Sequence, residues 1–344
     1  MSGGVINPIS TYPYPDFKPE RTKSYEVGIN ARFLNGRISF DGTFYQSNTY
    51  NQTFLSVMSP ATGYLGFYVQ AGNVRNRGVE MTLGYNDTFG KVNYSTHLTY
   101  TANQNKIVEM VHDYRNPIDN SLVNITELTL KEVGDVYLRE GYSMSDVFTT
   151  GILQRGRDGK LVEEGNGYQV DRSQRIRLGS ADPDFTMGWR HDINYKNISL
   201  GLMITGRFGG IVTSQTQAFM DAFGVSKVSA EARDNGGVML DGHRYDAERY
   251  YNTVGGQGLM SYYTYDATNV RLQELSLTYS LPKKWLGDVF NNATISFVGR
   301  NLFMFYRKAP FDPDMNGSTG TYNRSDFFMA PSLRNLGFSI KFSL

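Results

Sequence analysis

The four histidines are the side chains best suited to acid-base or metal chemistry, and they lie far apart in the sequence. They are His97, His112, His191 and His243. No two of them have the helical spacing of a metal site, and the chain contains no cysteine. His112 and His191 each precede an aspartate, but neighbouring side chains on a strand point to opposite faces. The sequence therefore predicts no enzyme, no metal ligand and no bound cofactor.

Two glycine-rich segments resemble ligand-binding loops only in part. Residues 156–160 contain Asp158 and Gly159 but lack the alternating oxygen ligands and terminal glutamate of a calcium-binding EF-hand. Residues 206–210 lack the lysine and the following helix that a phosphate-binding loop requires. We predict a hairpin turn for the first segment and the end of a strand for the second.

Five tyrosines that lie close together in the sequence are the candidate ligand contacts. They are Tyr250, Tyr251, Tyr262, Tyr263 and Tyr265. An aromatic ring can stack on a sugar ring while a tyrosine hydroxyl forms hydrogen bonds. The alternative, which we favour, is that these rings pack their own segment together or pack against a partner protein. Ligand contact by these tyrosines stays a hypothesis.

Charge and hydropathy argue against a nucleic-acid-binding protein and against a protein with membrane-spanning helices. The chain of 344 residues has 34 basic and 33 acidic side chains, and the basic residues are scattered, so nucleic acid is not an expected partner. Mean hydropathy is −0.41, and the apolar runs fall far short of the roughly 18 residues that a membrane-spanning helix needs. A β-barrel remains compatible with both observations, because only alternate residues of its strands face lipid.

The carboxyl terminus has the pattern of a strand with one apolar face and one polar face. From residue 336 to residue 344, every even position is apolar and the odd positions hold Gly, Ser, Lys and Ser. Such a strand suits the wall of an outer-membrane barrel, which presents one face to lipid and the other to water. We expect the lipid-facing residues to be Phe338, Ile340, Phe342 and Leu344.

Turn chemistry and alternation predict the same register in a first hairpin. Asn35 and Gly36 suit a type I′ turn, in which both central residues have positive φ. A turn there pairs Phe33 with Ile38 and places every apolar residue of both strands on one face. Two further pairs follow, Ala31 with Phe40 and Val27 with Phe44. A slip of one residue would move half of these side chains to the polar face.

The same pattern predicts further strands. A two-residue turn at Lys196 and Asn197 pairs Tyr195 with Ile198 and, further along, Ile193 with Leu200 and Trp189 with Ile204. Strands at 79–85 and 92–100 should be joined by a short connection at 86–91. A run that ends before Pro282 changes phase near Gln273 or Glu274, which predicts a β-bulge. With a strand from Ile295 and the terminal strand, the count reaches nine.

The connections between these strands alternate in length, as in transmembrane barrels. The short ones are 35–36, 86–91, 196–197 and about 282–292, and the long ones are about 51–71, 107–183, 209–265 and 301–332. A closed bacterial barrel needs an even number of strands, and an extra pair hidden between Val133 and Leu153 would preserve the odd count. We therefore predict an all-β fold, an antiparallel transmembrane β-barrel that is partial, with about 9–11 strands.

Four segments resemble the carboxyl-terminal barrel of the SusC/RagA family of TonB-linked outer-membrane proteins. They are residues 19–28, residues 73–80, residues 266–273 with 277–282, and residues 299–303, in the family's order and across almost the whole chain. The resemblance implies a 22-stranded barrel, so residues 1–344 would be its carboxyl-terminal portion. The plug domain, TonB box and signal peptide of such proteins cannot be located in this sequence.

The resemblance also implies a function and a set of partners. Such proteins import oligosaccharides or peptides across the outer membrane, driven through TonB and its ExbB and ExbD motor. A SusD-like surface lipoprotein covers the barrel, and the barrel-assembly machinery reads the terminal strand. The carboxyl terminus would lie on the periplasmic side. Two alternatives stay open: a surface adhesin or structural barrel without energised transport, and a truncated gene product without function.

Overall fold

The fold comes from a computed structural model that describes residues 11–12, 17–57, 63–115, 120–130, 136–287, 290–314 and 325–343. Its main element is a nine-stranded antiparallel sheet in which the strands lie in chain order. The strands are β1 (Arg21–Phe33), β2 (Ile38–Tyr50), β3 (Asn73–Phe89), β4 (Val92–Glu109), β5 (Phe185–Tyr195), β6 (Ile198–Phe208), β7 (Asn269–Ser280), β8 (Asn292–Arg307) and β9 (Asn335–Ser343). Within the described ranges β1 and β9 do not pair with each other, so the sheet is an open section of a barrel wall.

The register predicted for the first hairpin is confirmed. Phe33 pairs with Ile38, and the ladder continues through the two further predicted pairs. The turn begins one residue earlier than expected, because Leu34 also adopts a positive φ, +52°. The N–H of Arg37 donates to the carbonyl of Leu34 at 3.2 Å, which closes the turn around Asn35 and Gly36.

The second hairpin and the bulge are confirmed as well. Tyr195 pairs with Ile198 across the turn, and all the predicted partners follow. In β7, Gln273 has no partner on either neighbouring strand, because the registers step from Leu272 to Glu274. This extra residue returns the apolar side chains on both sides of the bulge to one face of the sheet.

The connection between β3 and β4 is shorter than predicted. Pairing continues to Phe89 and Val92, so only Gly90 and Lys91 form the turn. The prediction of 86–91 was wrong because the polar residues at its start were taken to end the strand. Asn86 and Asp87 instead remain in the ladder.

The hypothesis of a hidden strand pair between Val133 and Leu153 is also wrong. Described strands in that stretch, Tyr137–Arg139 and Asp146–Leu153, pair with other segments of the same long connection, not with the nine-stranded sheet. Among the described residues the barrel section therefore has nine strands, at the lower end of the predicted range.

The two glycine-rich segments have the predicted structures. The N–H of Gly156 donates to the carbonyl of Lys160 at 2.8 Å, which makes residues 156–160 a hairpin turn. Strand β6 ends at Phe208, and Gly209 and Gly210 follow with φ of +74° and +75°.

The long connections carry short elements of their own. The helices are α1 (Gln215–Ala222), α2 (Lys227–Asp234) and α3 (Ala247–Val254), with a 3-10 turn at Met260–Tyr262. A further 3-10 turn, Lys283–Trp285, lies in the short connection between β7 and β8. The strands are Gln52–Val57, Gly66–Ala71, Val111–Arg115, Leu122–Ile125, Glu127–Thr129, Tyr137–Arg139, Asp146–Leu153, Glu163–Glu164, Gly167–Tyr168, Val170–Ser180, Ile211–Ser214, Val238–Leu240, His243–Tyr245, Thr264–Asp266 and Ser325–Asp326.

Each helix begins at a residue whose side chain satisfies a free backbone N–H. Ser214, Ser226 and Asp246 accept hydrogen bonds from the N–H groups of residues in the first turns of α1, α2 and α3. The helices are only eight residues long, which is marginal for an isolated helix, so their stability depends on packing against the rest of the connections. No helix in the described part of the chain is long and apolar enough to cross a membrane.

Candidate functional site: a cleft between two long connections

The two faces of the sheet differ in chemistry. The outward face carries exposed apolar side chains, among them Val27, Leu83, Trp189 and Phe297. On the opposite face polar and charged groups pair with one another, as Asn30 does when its amide donates to Asp41 at 2.8 Å. An apolar face beside a paired polar face is the arrangement of a membrane barrel with a wet lumen.

A row of paired charges crosses four strands on the polar face. Arg190, Met203, Glu274 and Arg300 lie on one rung of the ladder from β5 to β8. The guanidinium of Arg190 donates to Asp192 at 2.8 and 2.9 Å, and that of Arg300 donates to Glu274 at 3.0 Å. The charges of this row are therefore paired within the wall.

A cleft of about 850 Å³ lies between the two longest connections. One side is formed by the strand Asp146–Leu153 and its surroundings, and the other by α1 and the glycine-rich end of α3. The lining residues include Tyr137, Phe148, Thr150, Arg172, Arg175, Gln215, Phe219, Gln257 and Met260. No carboxylate occurs among the described residues that line the cleft.

Two exposed arginines give the cleft its charge. The guanidinium of Arg175 lies 4.1 Å from the ring centre of Tyr137, a cation–π contact. Arg172 donates only long hydrogen bonds: 3.3 Å to the backbone carbonyl of Gln257, 3.4 Å to the side-chain amide oxygen of Gln257, and 3.4 Å to the carbonyl of Thr150. Because neither arginine pairs with a carboxylate of the described residues, both guanidinium groups can accept an anionic partner.

Aromatic packing holds one wall of the cleft in place. The rings of Tyr137 and Phe148 are 5.0 Å apart and meet edge to face. The hydroxyl of Tyr137 donates to Glu127, and burial together with this hydrogen bond raises the pKa of Tyr137. Tyr137 is therefore a neutral phenol at physiological pH, and its ring face is free to attract the Arg175 cation.

The five predicted tyrosines lie behind the cleft rather than on its surface. Tyr250, Tyr251 and Tyr263 are buried in a cluster with residues of both long connections, and Tyr262 and Tyr265 pack against that cluster. Burial raises the pKa of Tyr265 to about 12 and shifts those of Tyr250 and Tyr263 further in the same direction. The structure thus brings these residues together as a core, and their contact with a ligand stays a prediction.

The tyrosine cluster connects segments that are far apart in the sequence. The N–H of Leu153 donates to the hydroxyl of Tyr262 at 3.1 Å, and the N–H of Leu161 donates to that of Tyr245 at 3.1 Å. The N–H of Tyr168 donates to the hydroxyl of Thr253 at 3.0 Å. These hydrogen bonds join the 110–184 connection to the helices of the 209–268 connection, so the two sides of the cleft are held as one unit.

A buried ion cluster fastens another loop to the rim of the sheet. The guanidinium of Arg271, only 8% exposed, contacts Asp312 at 3.0 Å and Asp314 at 2.5 Å and also donates to Asn269. Burial acts to raise the pKa of Asp312, but hydrogen bonds from Ser332, from the Asp314 N–H and from Arg271 hold that pKa below its ordinary value. Asp312 is therefore ionised and pins residues 308–314 to β7.

The terminal strand presents the predicted side chains on the outward face. Phe338, Ile340 and Phe342 are 70%, 49% and 60% exposed. Phe338 pairs with Phe297, which is also exposed, so the apolar face continues across β8 and β9. Leu344 lies outside the described residues.

His97 and His191 come to neighbouring rungs of the paired strands β4 and β5, but their side chains lie on opposite faces of the sheet. The ring of His191 contacts the hydroxyl of Tyr94 at 2.8 Å on the outward face, and His112 contacts Glu140 at 3.2 Å in a connection. No group of three or more potential ligands that could hold a metal ion occurs within the described ranges. The residues that line the cleft were missed by the sequence reasoning, because Arg172 and Arg175 lie in a stretch without a motif.

Comparison with known proteins places this geometry in a family. The sequence model of the protein family described as TonB dependent receptor-like, beta-barrel matches residues 2–205 of this chain. Two curated proteins of Formosa agariphila, TonB-dependent receptors P3 and P26, are each 25% identical to the chain, over 98% and 87% of its length. The chain covers 36% and 32% of these proteins, so it spans about a third of the relatives it matches.

Solved structures agree on the fold. A chain of the RagAB peptide transporter superimposes with a TM-score of 0.68 at 16% identity, over 94% of this chain and 35% of that chain. The open-open state of the RagAB peptide importer gives a TM-score of 0.64 at 18% identity. The superposition covers 97% of this chain and 36% of that chain. The TonB-linked β-barrel resemblance seen in the motifs is confirmed, and the chain belongs to the TonB dependent receptor-like β-barrel family.

Proposed function

We propose that the protein imports oligosaccharides or peptides across the outer membrane in a TonB-dependent manner, with this chain supplying barrel wall and extracellular loops. The observation that carries the proposal is the two-faced, nine-stranded sheet with long connections at one end only. Such a wall separates lipid from a polar passage. The proposed activity is transport of an unaltered cargo, not its chemical conversion.

The chain spans about a third of its curated relatives, which supports a place within a longer protein. Residues 1–344 form the carboxyl-terminal portion of the barrel, and a plug and a TonB-contacting segment would belong to the amino-terminal part of the same protein. The odd strand number supports this, because nine antiparallel strands cannot close a bacterial barrel. The short turns and the carboxyl terminus then face the periplasm, and the long connections face outward.

The cleft between the long connections is the proposed place of cargo contact. Its two arginines, which pair with no carboxylate of the described residues, suit an anionic group of the cargo. Tyr137, Phe148 and Phe219 offer apolar surface to a side chain or a sugar ring. Peptides and acidic oligosaccharides both carry such groups. RagAB is described as a peptide transporter, which supports peptides as the first cargo to test.

A SusD-like surface lipoprotein is the proposed partner on the outer side. Phe219, Phe327 and Phe328 form an aromatic group with ring centres 5.2 to 6.1 Å apart, and all three are at least 40% exposed. Phe223, 78% exposed, lies at the end of the same helix as Phe219. Exposed aromatic residues are typical anchors of protein interfaces.

The decisive experiment measures uptake by cells. A strain that lacks the gene and a strain with the intact gene are given fluorescent peptides or oligosaccharides, with and without an uncoupler that abolishes the proton gradient. We expect accumulation only with the gene and only with the gradient. Surface binding of cargo that is independent of both TonB and the gradient would instead support the adhesin alternative, and absence of the protein from the outer membrane would refute the proposal.

A further inference from the structure

One strand in the wall of the cleft has an edge that no other strand covers. The cleft strand, defined here as Asp146–Leu153, pairs antiparallel with Val170–Ser180, and these two strands form a sheet of their own. No third strand pairs with the cleft strand among the described residues. A strand edge without a neighbour leaves backbone N–H and C=O groups that a further strand can use.

The uncovered edge points across the cleft. The carbonyl of Gly151 accepts a hydrogen bond from the hydroxyl of Ser261 at 3.2 Å, and the N–H of Leu153 donates to the hydroxyl of Tyr262 at 3.1 Å. Both partners belong to the connection on the opposite side. Residues 147–150 precede this contact, and all four of them line the cleft. Because successive side chains of a strand point to opposite faces, four consecutive lining residues mean that the cleft reaches the edge of the strand.

The backbone of residues 147–150 is open to a strand of another molecule. Outside the ladder of its own strand pair, its only hydrogen bonds within the described ranges are two long ones to the carbonyl of Thr150. They come from Arg172 and from the hydroxyl of Thr149, each at 3.4 Å. The four side chains are one valine, one phenylalanine and two threonines, which favour strands. None of them is a charged residue or a proline, the residues that commonly block an edge.

The chemistry of the cleft selects the kind of strand that fits. Arg172 and Arg175 lie on the strand paired with the cleft strand, and neither pairs with a carboxylate of the described residues. Arg175 lies directly opposite Thr150 in the register, so its charge is beside the uncovered segment. The volume of about 850 Å³ is within the range of roughly 300–1,000 Å³ for small-ligand sites. The occupant is therefore short and anionic.

We propose that the cleft binds a short anionic peptide in an extended conformation, added as a strand to the uncovered edge at residues 147–150. The inference rests on the proposed function, for which it names the cargo and its mode of binding. The peptide backbone would form hydrogen bonds with the edge whatever its side chains, and its carboxylate would bind Arg172 and Arg175. An acidic oligosaccharide offers the charge but lacks the regularly spaced N–H and C=O groups of a strand.

The test uses the full-length protein purified from outer membranes together with any protein that copurifies with it. The probe is a hexapeptide of alternating threonine and valine, with an acetylated amino terminus and a free carboxyl terminus. Two derivatives carry N-methyl groups on alternate backbone nitrogens, one on the odd residues and one on the even residues. Successive N–H groups of a strand point to opposite sides, so only one of the two sets can face the uncovered edge.

Strand addition predicts different affinities for the two methylated peptides. One should bind at least tenfold more weakly than the unmodified peptide, and the other less than threefold more weakly. A backbone hydrogen bond contributes on the order of two- to tenfold in affinity, and the methyl groups block two or three of them. Hydrogen exchange at residues 147–150 should slow at least tenfold when the unmodified peptide is bound, while exchange in β6 is unchanged. Equal affinities of the methylated peptides, or unchanged exchange at residues 147–150, would overturn strand addition.

The charge and the class of cargo are tested with two further ligands. The hexapeptide with an amidated carboxyl terminus should bind the parent protein at least tenfold more weakly than the free acid. A hexamer of galacturonic acid should bind at least thirtyfold more weakly than the free acid peptide. Equal binding of the amide would overturn the contact between carboxylate and arginine. Equal or tighter binding of the oligosaccharide would overturn the choice of a peptide.

The fate of the proposed function is read separately. Cargo uptake is measured with and without the gene and with and without the proton gradient, and this measurement does not involve the methylated peptides. Uptake that depends on both, together with equal affinities of the methylated peptides, would refute strand addition alone. The expected difference between the methylated peptides, without uptake that depends on the gene and the gradient, would refute the transport function alone.

Discussion

The backbone N–H of Leu153 donates a hydrogen bond of 3.1 Å to the hydroxyl of Tyr262, a residue 109 positions further along the chain. This contact joins the two long connections on either side of the cleft. It also gives one of the candidate tyrosines a structural role, which can be separated from a role in ligand binding.

Replacing Tyr262 by Phe tests that role directly. The Tyr262→Phe variant keeps the ring but leaves the Leu153 N–H without its acceptor, which should cost about 1 to 2 kcal/mol of local stability. Hydrogen exchange at Leu153 should therefore quicken by roughly five- to thirtyfold while exchange in β5 and β6 is unchanged. Unchanged exchange at Leu153 would show that the contact does not hold the connections together.

The buried tyrosine Tyr250 should tolerate loss of its hydroxyl far better than loss of its ring. Tyr250→Ala removes a large side chain that is only 8% exposed, and we expect the unfolding free energy of the loop unit to fall by about 3 to 5 kcal/mol. Tyr250→Phe fills the same space and should bind cargo as the parent does. A loss of cargo affinity in a stable Tyr250→Phe protein would instead assign the hydroxyl to ligand contact.

The arginines of the cleft should matter for acidic cargo. Arg172→Ala combined with Arg175→Ala removes both unpaired cations, and we expect affinity for a peptide with a free carboxyl terminus to fall at least tenfold. The same peptide with an amidated terminus should bind the variant and the parent almost equally. Arg157→Ala, in the exposed turn at 156–160, is the matched control. Equal affinity of the parent and the double variant for the peptide would show that these arginines of the cleft do not contact the cargo.

The anchor at Asp312 should make one loop sensitive to acid. Because the pKa of Asp312 is lower in the folded protein than its usual value near 4, its stabilising contribution is present above about pH 4 and is lost as pH falls through the folded pKa. Limited proteolysis at residues 308–314 should therefore increase in acid. Asp312→Asn should show the increased cleavage already at neutral pH, with a weaker dependence on pH. Parent protein that is cleaved equally at pH 7 and pH 3 would contradict the assignment.

The outward face of the terminal strand should not tolerate charge. Phe338→Arg places a cation among apolar side chains, at a cost of about 2 to 4 kcal/mol if the position is near the bilayer midplane. We expect a reduced yield of folded protein in lipid vesicles, measured by gel migration without heating. Ser339→Arg, on the polar face of the same strand, is the control and should fold nearly as well. Equal yields for both variants would argue against lipid contact at Phe338.

The barrel wall could be predicted from sequence because its determinants are local. A strand alternates with a period of two, and a tight turn such as the one at Lys196 and Asn197 sets the register of the residues beside it. The bulge at Gln273 was visible for the same reason, since an extra residue shifts the phase of the apolar side chains. The prediction failed where polar residues such as Asn86 continued a ladder, because composition alone does not mark the end of a strand.

The cleft could not be predicted, because its parts are assembled from segments without a periodic signal. Arg172 and Arg175 are unremarkable in sequence, and only the folded connections show that no described carboxylate neutralises them. The tyrosines were recognised as a group, but the sequence left packing and ligand contact as alternatives. Their burial was decided by the docking of α3 and its neighbours onto a connection about 100 residues away.

Sequence by itself thus determined the strands, most of their registers and which face of the wall is apolar, since each depends on neighbours along the chain or across one turn. Tertiary structure decided which charges are paired with a described carboxylate and which are not, as in the cleft. The physical reason is that neutralisation of a charge depends on what lies within about 4 Å of it, and in the long connections that neighbour is supplied by a distant part of the chain.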